Sequence, residues 1–288
     1  MAGRDDMAKA NLPTVVGRGL GGELRELREA RGLALRRVAT RLDWQPSKLS
    51  RMETGVQGIQ AADVASLLVI YGVTGEERRR LLAMAERSTE TGWWEAIGGL
   101  SDESRTLIRL EAEAATIVNW QPLLVPGLLQ TPDYAQAVMA GCGVPPDEAQ
   151  ARVAARLGRQ AILSRAIPPA LHALLDEAVL RRALGGPRVM ARQLRHLVEA
   201  AERPTVTLRV VPLAVGAHTG LDGSFALFDF PRNRSVVYLD HKLTGLFLEE
   251  AAQVAHFRRE ADRLTEVALS TVDSMALVAR YAAEHERE

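Results

Sequence analysis

The stretch GLALRRVATRLDWQPSKLSRMETG, Gly32–Gly55, predicts two short helices separated by a turn. In its first half, apolar residues recur at spacings of three and four and form one stripe of a helix: Leu35, Val38, Ala39 and Leu42. Ala39 is the small member, and a methyl group facing the next helix lets the two helix axes approach closely at a steep angle. The pattern restarts in the second half with Leu49 and Met52 inward. This is the plan of a helix-turn-helix.

The outward face of the second predicted helix, Gln45–Thr54, carries hydrogen-bond donors. Base edges in the major groove offer matching acceptors, guanine O6 and N7 to Lys or Arg and adenine to Gln. We therefore expect this helix in the major groove, with four residues at base edges: Gln45, Ser47, Lys48 and Arg51. Three more residues are expected near phosphate: Arg36, Ser50 and Thr54.

The segment ALRRVATRLDWQPSKLSRMETG resembles the phage-repressor-type (Xre) helix-turn-helix. Ala34 stands where that family usually has a Thr or Ser cap, which should cost roughly 1 kcal/mol of stability. Asp43 stands where the family has a turn glycine, and Asp tolerates a left-handed turn less well than Gly. The resemblance also implies a structural ion pair between Arg28 and Glu53. A plain helical hairpin with a solvated charged face is the alternative interpretation.

Charge is unevenly distributed along the chain. Its 288 residues include 36 Lys and Arg and 36 Asp and Glu, so a general attraction of the whole protein to nucleic acid is excluded. Between Arg18 and Gly55, however, there are nine basic and five acidic residues, which gives this segment a net charge of +4. Such an asymmetry fits one end that faces DNA and a body that does not.

The single cysteine, Cys142, excludes an intrachain disulfide. Neither a signal peptide nor an apolar run of membrane-spanning length is recognisable. We therefore expect a soluble cytoplasmic protein with no membrane partner.

Breaks in the pattern predict two domains. Residues 1–17 are expected to form a mobile arm, 18–88 an all-α helix-turn-helix domain of five helices, and 89–101 a glycine-containing linker. Residues 102–288 are expected to form an α+β domain, mainly helical with one small sheet. Its predicted strands are Ala170–Leu175, Thr205–Val211, Phe225–Phe230 and Val236–Asp240. Its first predicted helix is Asp102–Trp120.

Five segments of this second domain are similar to a C-terminal domain of unknown function that many actinobacterial helix-turn-helix regulators carry. They are VPGLLQTPDYA, LLDEAVLRR, MARQLRHL, VTLRVVP and GSFALFDF. These regulators are described as antitoxin-like. The resemblance implies transcriptional regulation, often beside a small partner protein, and supplies no agreed ligand.

The loop Pro122–Tyr134 is more apolar than loops ordinarily are, and its prolines and Gly127 fix its conformation in advance. We expect it to line a pocket or groove that accepts a small partner protein or a small molecule. The residues assigned to this site are Leu123, Leu124, Pro126, Gly127, Leu128, Leu129, Gln130 and Tyr134. The alternative is that the aliphatic side chains plug the domain core.

Catalysis, a metal and a cofactor are not expected. No histidine stands at zinc-ligand spacing from a cysteine or another histidine. The loop GAHTGLDGSF holds His218, Asp222 and Ser224, but members of a catalytic triad normally come from separate elements that orient one another. A polar connection between strands explains this loop.

The sequence thus predicts a DNA-binding transcriptional regulator that acts as a homodimer on a palindromic operator, because one short helix reads few bases. The closing helices, Glu249–Tyr281, are the expected dimer surface. The alternative is a protein-interaction adaptor, antitoxin-like, that has lost DNA binding.

Overall fold

The chain divides into a first unit, Met1–Trp93, and a second unit, Trp94–Glu288. The computed structural model describes residues 15–54, 59–89, 100–231, 233–241 and 245–288. Most of the predicted arm, residues 1–14, and most of the predicted linker, residues 90–99, lie outside the described residues. The arm was predicted to extend to residue 17, but helix α1 already begins at Val15.

The described part of the first unit is helical, as predicted. Its helices are α1 (Val15–Ala30), α2 (Leu35–Arg41), α3 (Pro46–Glu53), α4 (Ala61–Ile70) and α5 (Gly75–Thr89). One apolar core joins them, and its fully buried members include Leu24, Val38, Ala39, Leu49, Met52 and Leu68. The predicted inward stripe is thus the stripe that is buried, apart from Leu35 and Leu42, which are half-buried at the edge of the core.

The second unit combines helices with a sheet. Its helices are α6 (Asp102–Glu113), α7 (Pro132–Gly141), α8 (Pro146–Arg159), α9 (Glu177–Arg181), α10 (Pro187–Ala201), α11 (Ala251–Val267) and α12 (Thr271–Arg287). Its strands are β1 (Thr116–Gln121), β2 (Ala170–Asp176), β3 (Val206–Val211), β4 (Phe225–Asp229), β5 (Val236–Asp240) and β6 (Gly245–Leu248). The α+β prediction is confirmed.

The sheet is larger than predicted. Among the described residues it has six strands in the order β3-β2-β1-β4-β5-β6. Strands β1, β2 and β3 run parallel, whereas β4, β5 and β6 are joined antiparallel. Edge strand β3 is covered from the side, because Leu269 donates its backbone N–H to Val210 and the Ser274 hydroxyl accepts from Val210 N–H.

The predicted helix Asp102–Trp120 is wrong in its second half. Helix α6 ends at Glu113, and Thr116–Gln121 forms β1 in the middle of the sheet. The apolar residues Ile117, Val118 and Trp120 happen to continue the helical spacing of α6, but β-branched and aromatic side chains also suit a strand. Pairing with β2 on one side and β4 on the other decides the conformation.

Alternation along the strands gives the sheet two different faces. Trp120, Leu227 and Val237 are buried in a core that includes Val254 and Leu264 of α11. The intervening residues of the same strands point to the opposite face, since successive side chains of a strand alternate. That opposite face lies toward α6 and α8, whose residues line the same cavities as its side chains.

Candidate nucleic-acid interface

The turn between α2 and α3 has the conformation expected of a helix-turn-helix. Asp43 adopts φ +54°, a left-handed conformation in which glycine is ordinarily preferred. Trp44 N–H donates to the Ala39 carbonyl at 2.9 Å and closes the turn. Ala34 precedes α2 in extended conformation and makes no side-chain capping bond. The structure therefore contains both departures from the family pattern, the uncapped start of α2 at Ala34 and the non-glycine residue Asp43 in the turn.

A buried ion pair ties α1 to the end of α3. Arg28 donates from Nε and Nη2 to the two carboxylate oxygens of Glu53 at 2.7 and 2.8 Å. The third arm of the guanidinium, Nη1, donates to the Leu33 carbonyl at 2.9 Å. The Arg28 and Glu53 side chains are only 9% and 2% exposed. The pair implied by the family resemblance is confirmed. It fixes the orientation of α3, and its burial keeps it from contacting DNA.

Most residues of the predicted reading face are exposed. Gln45 begins α3 as its N-cap, and the side chains of Gln45, Ser47 and Arg51 reach solvent. Arg36, on α2, is also exposed. Thr54 is exposed but its hydroxyl donates to the carbonyl of half-buried Ser50 at 2.8 Å, which closes the last turn of the helix.

Lys48 differs from the other predicted base-reading residues. Its ammonium pairs with Asp63 of α4 at 2.8 Å and lies 4.0 Å from the centre of the Trp44 ring. Only 30% of the Lys48 side chain is exposed. Lys48 therefore braces α3 against α4 in this structure, and a base would compete with Asp63 for its ammonium. Nothing in the sequence around Asp63 marks it as this partner.

Helix α5 carries three consecutive arginines, Arg78, Arg79 and Arg80, of which only Arg79 is fully exposed. Arg80 donates to Glu23 of α1 through both terminal nitrogens. Arg78 is half-buried and reaches the Ala65 carbonyl. Two of the three side chains thus link helices of the first unit to one another.

The apolar loop predicted as a binding site is mostly internal. Leu128, Leu129, Pro126, Gln130 and Tyr134 are buried. Leu124 and Gly127 are half-buried, and only Leu123 presents a large exposed surface, at 61%. Packing removes most of the aliphatic side chains from water, as the alternative of a core plug expects, whereas Leu124, Gly127 and Gln130 line a cavity of about 80 Å³, as expected of a pocket.

The polar groups of this loop hold it in place. Gln130 Nε2 donates to the Val125 carbonyl at 2.7 Å, and Tyr134 OH accepts from Val125 N–H. Gln193 of α10 bridges the loop by accepting from Thr131 N–H and donating to the Leu129 carbonyl, both at 2.7 Å. These hydrogen bonds fix the conformation of the loop.

His218, in the loop GAHTGLDGSF, is held by contacts with neighbouring side chains and backbone. His218 Nε2 lies 3.2 Å from Asp176 Oδ2, and Nδ1 accepts from Gly220 N–H. Trp120 packs edge-on against the imidazole and donates to the Gly220 carbonyl at 2.9 Å. Both ring nitrogens of His218 are therefore engaged by its own loop and by Asp176.

No group of three or more His, Cys, Asp or Glu side chains among the described residues is arranged to hold a metal ion. No described helix combines the length and the apolar character needed to span a membrane.

Comparison with known proteins gives two matches to protein families. Residues 20–81 match a helix-turn-helix domain, and residues 104–280 match a domain of unknown function, DUF5753. No curated protein and no solved structure matches the chain. The first match covers most of α1, all of α2 to α4 and the beginning of α5, and thus includes the turn at Asp43 and the Arg28–Glu53 pair. The second spans more than half of the chain, so the protein belongs to the DUF5753 family and carries an N-terminal helix-turn-helix domain.

Proposed function

We propose that the protein is a sequence-specific, Xre-type transcriptional regulator that reads DNA with α3. The observation that carries this proposal is the combination of an exposed donor face on α3 with a rigid support beneath it. Gln45, Ser47 and Arg51 are exposed, while the Arg28–Glu53 pair and the buried Leu49 anchor the opposite side. A recognition helix needs both features, since base readout demands a fixed orientation of several side chains.

The exposed residues divide into two roles. Arg51 and Gln45 carry groups that pair with guanine and adenine edges, and they supply sequence preference. Arg36 lies on the preceding helix, where a positive side chain is suited to phosphate. Lys48 contributes either as a brace, as in this structure, or as a base contact after exchanging Asp63 for DNA.

A homodimer on a palindromic operator completes the proposal. The closing helices remain the proposed dimer surface, although Leu264 and Val278 are buried within the unit and are not available to a second copy. Val267 and Val272 are exposed on these helices, at 40% and 76%, and offer apolar area instead.

The second unit is proposed to be a sensor of a small ligand or of a small partner protein, as in antitoxin-like regulators, and to have no catalytic activity. His218 supports the absence of catalysis, because engagement of both ring nitrogens leaves it no free position from which to activate Ser224. The cytoplasm is the proposed location.

An adaptor that has lost DNA binding is the second candidate, and the engagement of Lys48 with Asp63 favours it. In that case the donor face of α3 would serve only solubility.

Binding measurements on operator fragments recovered by genome-wide immunoprecipitation test the proposal. Arg51→Ala should cost about 1–3 kcal/mol on the recovered site and much less on random DNA. Arg36→Ala should weaken binding to all sequences alike and lower the salt slope by about one unit.

Arg79→Ala is the matched control, since it also removes an exposed arginine, but from α5. It should leave the preference between recovered and random DNA unchanged. Equal losses for Arg51→Ala and Arg36→Ala on both kinds of DNA would contradict the assignment of roles. Negligible, salt-insensitive binding to any DNA would favour the adaptor.

A further inference from the structure

Two adjoining cavities lie in the second unit between α6, α8 and the sheet. Their volumes are about 330 and 80 Å³. They meet at five residues that line both: Leu107, Arg156, Arg159, Tyr238 and Asp240. The larger volume falls at the lower end of the range of small-molecule sites, about 300–1,000 Å³. We refer to the two together as the α8 cavity.

The floor of the smaller part of the α8 cavity, about 80 Å³, is a row of side chains across three strands. Asn119 of β1 is opposite Ala226 of β4, and Ala226 is opposite Tyr238 of β5. Paired residues of neighbouring strands point to the same face. Because the middle residue has only a methyl group, space remains between the amide of Asn119 and the phenol of Tyr238.

Two arginines on one face of α8 form the wall. Arg159 is neutralised, since it donates to both oxygens of Glu111 at 2.7 and 2.6 Å. Arg156 has no ion pair among the described residues, and its Nη1 donates to the neutral oxygen of Gln130 at 2.9 Å. Burial and the neighbouring charge of Arg159 lower the pKa of Arg156 to about 10. The carboxylates of Asp240 and Glu111 partly offset this lowering without pairing directly with Arg156, so an anion placed against its guanidinium would relieve the remaining cost of burial.

Hydrogen-bond acceptors face the same space. Asn119 Oδ1 is buried and receives no hydrogen bond within the described part of the chain. Asp240 accepts from Tyr238 OH at 3.1 Å and keeps further capacity as an acceptor. A buried acceptor without a donor is unfavourable, and a hydroxyl or amino group would satisfy it. The lining thus offers a cation on α8 and acceptors on β1 and β5.

We propose that the α8 cavity binds a small polar molecule with an anionic carboxylate or phosphate group and a neighbouring hydroxyl or amino group. The anion lies against Arg156, and the donor lies against Asn119 Oδ1. Glu111 and Asp240 balance the charge of the two arginines, which disfavours a ligand of high negative charge. The inference deepens the sensing role proposed above and rests on it for any effect on DNA binding.

The ligand would act on the loop Pro122–Tyr134 through Gln130. The present partner of Arg156 is Gln130, whose amide also holds the Val125 carbonyl. An anion on Arg156 competes with Gln130 for the same guanidinium. The α8 cavity, which the loop residues Leu124, Val125, Gly127 and Gln130 line in part, is therefore the regulatory site of this proposal.

Calorimetric titration of the full-length protein, without DNA, tests this inference with four probes. Glycerol 3-phosphate and L-serine carry an anion and a donor, inorganic phosphate carries an anion without a separate donor group, and glycerol carries hydroxyl groups alone. Glycerol 3-phosphate or L-serine should bind with a Kd of about 1 mM or tighter, and glycerol should not. Absence of binding by all three charged probes would overturn the inference.

Two variants locate the binding. Arg156→Gln should weaken the bound probe by at least about tenfold, as expected when a charge-assisted contact is lost. Ala226→Leu should abolish binding by filling the floor. Arg192→Gln is the control, because Arg192 is an exposed arginine of α10 that pairs with Asp133 away from the cavity. Unchanged affinity in both cavity variants would refute the site.

Failure of the inference is distinguishable from failure of the proposed function. A protein that binds a probe in the α8 cavity but binds no DNA refutes the regulator and leaves the ligand site standing. A protein that binds its operator but none of the charged probes refutes the ligand site alone.

Discussion

Glu53→Gln tests whether the buried pair with Arg28 sets the stability of the first unit. The substitution keeps the shape of the side chain but removes its charge. Arg28 Nε would keep an acceptor, whereas Nη2, now 2.8 Å from a carboxylate oxygen, would face an amide N–H₂. Removing one partner of a buried ion pair lowers the free energy of unfolding by about 3–5 kcal/mol, and the hydrogen bond that Arg28 Nε keeps places this variant near the lower end of that range.

Hydrogen exchange measured by mass spectrometry on the full-length protein separates the two units. A loss of about 3 kcal/mol corresponds to exchange roughly a hundredfold faster in the most protected peptides of α1 to α5. Peptides of the second unit should exchange as in the parent protein. Glu26→Gln is the matched control, since Glu26 is an exposed carboxylate of the same helix. It should change protection little.

Replacing both partners, Arg28→Met with Glu53→Met, should recover much of the loss, because no buried charge is then left unpaired. The reasoning is refuted if Glu53→Gln leaves protection in the first unit unchanged, or if both units lose protection equally.

Three further substitutions have expected outcomes. Ala34→Ser should raise the free energy of unfolding of the first unit by about 1 kcal/mol in urea denaturation, by supplying the missing cap of α2. Leu128→Ser should destabilise the second unit by at least about 3 kcal/mol in the same assay, because Leu128 is 2% exposed; an unchanged midpoint would mean that the loop is not core. Burial raises the pKa of Glu177, but hydrogen bonds from Tyr281 and the Leu213 amide outweigh burial and hold it below its ordinary 4.5. The second unit should therefore lose stability as the pH falls below about 4.5, and Glu177→Gln should flatten that loss in acid denaturation.

The first unit could be predicted well because its signals are local. Stripes of apolar residues at helical spacing identified its helices, and the small Ala39 marked the close contact within the motif. The Lys48–Asp63 pair could not be found this way, since it joins two helices whose relative placement the sequence does not express. The same holds for Arg80 and Glu23.

The second unit was harder because its sheet depends on distant pairing. Strand β1 continued the apolar spacing of α6, and only its neighbours β2 and β4, which lie far along the chain, show that it is extended. The loop Pro122–Tyr134 was recognised as unusual, but its burial follows from contacts with α8 and α10. Leu124, Gly127 and Gln130, which were predicted to line a pocket, line part of the α8 cavity. The floor of the cavity left no local signal, because Asn119, Ala226 and Tyr238 come together only across the sheet.

Selection of bound duplexes from a randomised DNA library tests most directly the claim that α3 reads base edges. The parent protein should enrich a palindromic motif whose half-sites are about one helical turn, or a multiple of it, apart. Arg51→Ala should enrich the same motif with one position relaxed in each half-site, while Arg79→Ala should enrich the parent motif. Enrichment of no motif by the parent protein, or of an unaltered motif by Arg51→Ala, would contradict the account.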